Sequence, residues 1–181
     1  MLQRCSAAIG HLSAIAIITG CVTSNVAPIP NVPGPLRVPV SQTLIREVQA
    51  TGVQIYECKA SKDDPGRFEW TFKAPEAELR DQAGNIFGRH YAGTTWEAYD
   101  GSSVVGEARA RDSGPDSNAI PWLLLSATSA SGSGVLSQTK SIQRINTSGG
   151  KAPAGGCSDA LVGKEMRVPY KAEYLFYASR P

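Results

Sequence analysis

Histidine is almost missing from this chain of 181 residues, which holds only His11 and His90. A metal or catalytic centre built on several histidines is therefore excluded, because His90 stands alone beyond the first twenty residues. Cysteine is scarce too, with four in all. No run of Lys or Arg occurs, and the net charge is +2, so neither a basic patch nor a nucleic-acid footprint is present. No apolar run is long enough for a membrane-spanning helix. No segment carries a convincing amphipathic helical period. A Gly-x-Ser-x-Gly nucleophile turn is absent. Gly132-Ser133-Gly134 lacks the third glycine and the following helix of a dinucleotide loop. Organic cofactors and metals are accordingly not expected.

What is present begins with an address. Arg4 supplies a positive end, Ala7 to Ile18 is mostly apolar although His11 interrupts it, and Ile18-Thr19-Gly20-Cys21 closes the segment with small residues. This order resembles a bacterial lipobox, in which the cysteine is acylated and becomes the first mature residue. Residues 1–20 then read as a signal peptide and Cys21 as a lipidation site, with plain secretion as the alternative. Val22 follows where an inner-membrane retention signal carries Asp, so the expected location is the cell envelope, at the outer membrane. Several fatty chains on one cysteine anchor stably where a single chain is marginal. Residues 21–35, with Pro28, Pro30, Pro33 and Pro35, read as an extended tether, although that stretch could also lie against the domain.

Cys58 and Cys157 remain for the domain itself. In an oxidising compartment they are expected to form a disulfide that ties the start of the domain to its end, with two separate buried thiols as the alternative. Two cysteines alone do not make a four-ligand zinc site.

Residues 36–181 read as one all-β domain, an antiparallel sandwich or partly closed barrel of about nine or ten short strands. Thr43 to Gln49 is predicted as a strand leading into a second, Gly52 to Lys59, whose alternation puts Gln54, Tyr56 and Cys58 on one face and Val53, Ile55 and Glu57 on the other. Lys62-Asp63-Asp64-Pro65-Gly66 is a turn. Phe68 to Lys73 alternates aromatic and polar residues and is expected to end at Ala74-Pro75. Ile86 to Tyr91 and Thr94 to Tyr99 follow, then Asp100-Gly101, a strong hairpin signal. In Ser103 to Arg111 the small residues Gly106, Ala108 and Ala110 leave one face thin, so a bulky group is expected over it. Pro121 to Leu125 is continuously apolar, Val135 to Asn146 reads as one strand, and Thr147 to Gly156 as a mobile Gly-rich loop. Leu36 to Val40 is a candidate first strand. Glu165 to Ala178 closes the domain, with Tyr170, Ala172, Tyr174 and Phe176 on one face.

The residues able to carry chemistry cluster in His90-Tyr91-Ala92-Gly93-Thr94-Thr95-Trp96-Glu97. His90 suits a general base flanked by Glu97 or Glu57, or a strand-end histidine bonded to a backbone carbonyl. Glu57 shares a face with Val53 and Ile55, so an inward orientation needs a partner such as Arg109 or Lys73. Trp70, Trp96 and Trp122 with Tyr56, Tyr91 and Tyr99 could form a sugar-stacking platform; Trp70 and Trp122 sit in apolar runs and read as core, leaving Trp96, between Thr95 and Glu97, as the ligand-facing aromatic.

The segments ATGVQIYECK, FEWTFKAPEAEL, GRHYAGTTWEAYDGSSVVGE, NAIPWLLLSA, SIQRINTSGGKAPAGGC and VPYKAEYLFY together resemble the domain-of-unknown-function 3455 family, over about Leu36 to Tyr177. The resemblance implies an exported protein and transfers no catalytic residue. A malate-dehydrogenase label carried by some members finds no dinucleotide loop here. Three functions are weighed: a lipid-anchored envelope module that binds a glycan or an envelope protein, a structural envelope component, and a polysaccharide hydrolase or lyase using Glu57, His90 and Glu97. Binding ranks first, with Glu57, His90, Tyr91, Trp96 and Glu97 as candidate ligand contacts.

Overall fold

The computed structural model describes residues 31–64 and 66–181. The signal peptide, Cys21 and residues 21–30 of the expected tether lie outside the described residues. Eight strands form one antiparallel sheet: β1 (Gln42–Ala60), β2 (Phe68–Arg80), β3 (Ile86–Tyr91), β4 (Thr95–Ala98), β5 (Ser103–Asp112), β6 (Trp122–Ser131), β7 (Thr139–Gly149) and β8 (Glu165–Ser179). Each pairs with the next, and β8 returns to β1, so the sheet closes on itself as an irregular barrel. The all-β antiparallel class is as expected, and closure removes the free edges over most of the ring.

The strand count falls from nine or ten to eight because two residues that looked like stops are not. Gly52 lies within a single 19-residue strand. A Cβ there would stand 2.1 Å from the Glu76 carbonyl oxygen and 2.5 Å from the Ala77 Cα, so glycine permits a close strand crossing rather than a break. Pro75 does not end β2, which runs on to Arg80. Among the described residues, β2 pairs from Phe68 to Glu76 with β1 alone, and β3 joins from Ala77, so Pro75 sits where one side of the strand has no ladder to lose. Pro169 is placed similarly, just beyond the Gly149–Tyr170 pair that ends the β7–β8 ladder. Val135 to Asn146 is not one strand: Val135–Gln138 form a 3-10 turn that drives Leu136 fully into the core, and β7 starts at Thr139. Leu36 to Val40 is not a strand either; Gly34–Leu36 form another 3-10 turn.

Inward-facing side chains fill the barrel. Val48, Leu79, Trp96, Val104, Leu125, Ile142, Tyr174 and Phe176 are the bulk of this core. The thin face of β5 has the expected function: a Cβ on Gly106 would lie 3.0 Å from the Trp96 ring, so its absence makes room for the indole. Ile142 points inward and Ile145 outward, as their odd spacing requires.

A second layer covers the outer wall. Ile145, Leu175 and Tyr177 face away from the barrel, and Val32 and Leu36 lie over them. Gln143 fixes this arm: its Nε2 donates to the Leu36 carbonyl at 2.7 Å, and its Oε1 accepts from the Tyr177 hydroxyl at 2.6 Å. Burying Leu36 completely contributes about 1.5–3 kcal/mol. The chain therefore joins the packed domain at Val32, and residues 31–35 lie against the wall rather than extending from it.

Beyond the ring, the ends of β1, β2 and β8 continue as a three-stranded extension. Its inner face carries Tyr56, Cys58 and Trp70, with Ala152 and Cys157 packed on them. The Cys58–Cys157 disulfide is formed. The Tyr56 hydroxyl donates to the Gly150 carbonyl at 2.6 Å, and Trp70 Nε1 to the Gly155 carbonyl at 3.0 Å. The expected mobile loop is thus a strand as far as Gly149 and then a segment pinned at Gly150, Gly155 and Cys157.

Candidate functional site

The β3–β4 hairpin decides the fate of the sequence-selected cluster. Register pairs His90 with Trp96 and Arg89 with Glu97, and opposite residues share a face. One row points into the barrel and the other out. His90 and Trp96 are the inward row: their rings stack at 4.3 Å, and each meets the Tyr174 ring edge-on. His90 Nδ1 lies 2.8 Å from the Thr95 carbonyl oxygen, which fixes this nitrogen as the donor. Burial holds the His90 pKa down to about 3, outweighing that hydrogen bond. Of its two readings, the strand histidine bonded to a carbonyl is the one observed.

The expectation of an exposed Trp96 is corrected, since the indole is only 1% exposed. Its polar neighbours Thr95 and Glu97 signified the opposite of what was inferred: on a strand, polar flanks face outward when the residue between them faces in. The sugar-stacking platform is likewise dispersed. Tyr56 and Trp70 floor the extension, Trp122 packs in the outer cluster, Trp96 fills the barrel, and Tyr99 is exposed on the β4–β5 turn.

Tyr91 and Glu97 belong to the outward side. The Tyr91 hydroxyl donates to Glu97 Oε2 at 2.7 Å, Arg89 Nη2 reaches the same oxygen at 3.0 Å, and the Arg89 guanidinium lies over the Tyr91 ring. The Tyr91 hydrogen bond first, then Arg89, holds the Glu97 carboxyl below its usual range, and the same bond raises Tyr91. Glu57 is elsewhere. It faces outward, where Lys73 stands 3.3 Å and Lys59 3.5 Å away, and Lys73 also binds Glu165 at 2.7 Å. Partial desolvation raises the Glu57 pKa, but the two lysines outweigh it and leave the carboxyl low. Lys73 is the expected partner, met on the outer surface.

These residues do not assemble into one centre. The cross-strand row of Glu97 runs through Arg89 and Glu78 to Thr51. Glu57 lies six residues further along β1, about 20 Å at ~3.3 Å per residue. His90 is separated from both carboxylates by the sheet itself. Among the described residues, no group of three His, Cys, Asp or Glu side chains stands close enough to hold a metal ion.

Two features missed by sequence reasoning are better formed. One is a surface groove of about 390 Å³ between β1 and the β2–β3 turn, lined by Leu44, Ile45, Arg46, Glu47, Asp81, Gln82 and Ala83. Asp81 is fixed there by accepting the backbone N–H groups of Ala83 and Asn85 at 3.0 and 2.9 Å and the Asn85 amide at 3.2 Å. Those bonds, that of the Asn85 amide first, hold its carboxyl low. The Arg46 guanidinium lies 5.4 Å from the Phe87 ring centroid. The Asp81-to-Asn85 turn was legible in the sequence, but its approach to β1 was not.

The other feature is inside. Gln54 and the hydroxyl-bearing rings of Tyr170 and Tyr174 are buried side by side, and Arg144 from β7 places its charge beside both tyrosines. The alternation of β8 shows that Tyr170 and Tyr174 share a face, but not that β1 and β7 bring Gln54 and Arg144 to them.

A family model described as "Protein of unknown function (DUF3455)" matches residues 39–178. The chain belongs to this family. Its span covers all eight strands except the last residue of β8, so the barrel is the family's domain. No curated protein and no solved structure matches the chain.

Proposed function

We propose that this DUF3455 domain is a non-catalytic envelope module, carried on a lipid at Cys21, that binds an uncharged saccharide in the groove between Leu44–Glu47 and Asp81–Ala83. The observation that carries the reading is the groove's chemistry. Arg46, Glu47, Asp81 and Gln82 line one depression, and the Arg46 guanidinium lies over the Phe87 ring. Its volume lies within the range of small-ligand sites, which is roughly 300–1,000 Å³. Paired donors and acceptors of this kind suit hydroxyl groups, and two carboxylates against one guanidinium disfavour an anionic ligand. The hydrolase reading through Glu57, His90 and Glu97 is not proposed, because the barrel wall separates its members.

The groove is tested by co-sedimentation of the purified chain with insoluble cell-wall polysaccharide. Glu47→Ala with Gln82→Ala is expected to lower retention at least tenfold. Equal retention of the double variant and wild type sinks the groove. The anchor is tested separately by metabolic labelling with radioactive palmitate, where label in Cys21→Ser would end the lipoprotein reading.

A second reading, docking of an envelope protein, is favoured by one feature. From Phe68 to Glu76, β2 has no partner on its outer side among the described residues, and Phe72 is 52% exposed on this stretch. An extended segment could add there as a further strand. Phe72→Ser, rather than the groove variant, would then abolish retention on whole envelopes.

A further inference from the structure

Ring closure leaves the three-stranded extension with two free edges among the described residues, and they differ. On β8, residues 165–169 lie beyond the β7 ladder. That edge is capped: Pro169 has no N–H, and its carbonyl accepts the Gly150 N–H at 2.8 Å. On β2, residues 68–76 lie beyond the β3 ladder. The usual guards of an edge sit only at the C-terminal end of this stretch. Lys73 is an extra residue there, since Tyr56 pairs with Phe72 and Ile55 with Ala74, and Pro75 follows. From Phe68 to Phe72 the strand is regular and open.

The open stretch is complementary to itself. Phe68, Trp70 and Phe72 stand opposite Ala60, Cys58 and Tyr56 and so share the inner face. Glu69 and Thr71 stand opposite Lys59 and Glu57 on the outer face, and Lys73 reaches the same Glu57 at 3.3 Å. An antiparallel second copy with the two-fold axis at Thr71 opposes Thr71 to itself, Trp70 to Phe72 and Glu69 to Lys73. Each is a favourable cross-strand pair, and the axis repeats the last two. The Phe72 ring, 52% exposed, then finds cover against an indole. Neighbouring registers fail. With the axis at Trp70, Arg67 faces Lys73; with the axis at Phe72, Glu69 faces Pro75, which has no N–H to give.

We infer that residues 68–73 of β2 form a homodimerisation edge, on which a second copy of this chain adds antiparallel about Thr71. The sheet of each extension then continues into the other, and the bulge at Lys73 with Pro75 sets the limit of the ladder. A ladder of about five residues from each copy is far below a standard-sized interface, so the dimer is transient in dilute solution and is favoured where copies are held on one surface. The site is independent of the groove and of the anchor. It assigns the β2 edge to a second copy, where the envelope-protein reading assigns it to a different chain.

Cysteine trapping in the full chain tests this. Opposed residues of an antiparallel pair have Cα atoms about 4.5–5.5 Å apart, within disulfide reach. Under copper–phenanthroline oxidation, Thr71→Cys is therefore expected to form a covalent dimer that a reducing agent separates. Lys140→Cys, exposed on β7, is expected to stay monomeric. Within Thr71→Cys, Glu69→Lys sets like charges opposite each other twice and is expected to slow cross-linking about tenfold; adding Lys73→Glu is expected to restore the rate. Should Lys73→Glu fail to fold, because Lys73 also binds Glu165, Glu69→Lys and the Lys140→Cys control decide. Thr71→Cys that gives no dimer, or gives it no faster than Lys140→Cys, overturns the proposal. So does a rate unchanged by Glu69→Lys, or a cross-linked product of another mass, which would give the edge to an envelope protein.

Discussion

The Asp100 carboxylate accepts the Val135 backbone N–H at 2.8 Å and so joins the β4–β5 hairpin to the turn that closes one end of the barrel. The same side chain accepts the backbone N–H of Ser102 at 2.9 Å and its hydroxyl at 2.6 Å, while that hydroxyl accepts the Leu136 N–H at 3.0 Å. Leu136 and Ser102 are fully buried behind this lock. Asp100→Ala leaves the Ser102 hydroxyl and the Val135 N–H without their acceptor, and is expected to cost about 1–3 kcal/mol. Urea unfolding of the variant checks this, and a midpoint equal to wild type would remove Asp100 from the closure. Gly134 belongs to the same device, since a Cβ there would meet the Asp100 carboxylate at 2.2 Å.

The Cys58–Cys157 bridge is expected to stabilise chiefly through the unfolded chain, by closing a loop of about 100 residues worth up to ~4.7 kcal/mol. It also holds the 150–163 segment on Tyr56 and Trp70. Cys58→Ala with Cys157→Ala should therefore lower the denaturation midpoint and open a new protease site between Gly150 and Gly163. Limited proteolysis at native temperature reads the second effect alone. Resistance equal to wild type would show that Tyr56 and Trp70, with their bonds to Gly150 and Gly155, hold the segment unaided.

Most of the ring was legible in the sequence, because period-two alternation reports which residues share a face whatever the strand's partners. The faces of Tyr56 and Cys58, of Ile142 and Ile145, and of Tyr170 to Phe176 all follow from it. Alternation does not report which face is inside. Trp96 and Glu97 differ only by parity, and the sheet's curvature alone assigns the indole to the core. Stops were overread for a related reason. Pro75 and Gly52 break a strand flanked on both sides at ordinary spacing, but not one whose neighbour has ended or presses unusually close. The groove at Asp81 and the buried polar cluster at Arg144 depend on contacts between strands far apart in sequence, which no local pattern encodes.

Gly52 gives that argument a direct check. Its missing side chain lets the Glu76 carbonyl approach to where a Cβ would be 2.1 Å away, and the obstacle is backbone that cannot swing aside. Gly52→Ala should separate β1 from β2 around the Gly52–Ala77 pair and cost about 1–3 kcal/mol, as overpacking does. Hydrogen exchange should rise at Val53 and Ala77 before it rises in β6. Unchanged protection there would show that the crossing tolerates a methyl group.

His90 sets the response to acid. Unfolded, its imidazole takes up a proton near the ordinary pKa of 6.5; folded, burial keeps it neutral down to about 3. Between those values the unfolded state binds one proton more, so stability falls as pH falls, by about 1.4 kcal/mol for each pH unit below 6.5. Carboxylates act in the same direction but later. Asp81, Asp100, Glu57 and Glu97 are all held below their ordinary values, so their contribution is complete above the unfolded carboxylate pKa and is lost only as pH drops past it. The window from pH 6.5 to about 5 therefore isolates the histidine, and His11 lies outside the folded domain's described residues. Denaturation midpoints measured across that window should slope in wild type. They should run flat in His90→Gln, which keeps a donor for the Thr95 carbonyl without a titrating ring. A slope that survives the substitution would mean that another group, not the imidazole stacked on Trp96, takes up the proton.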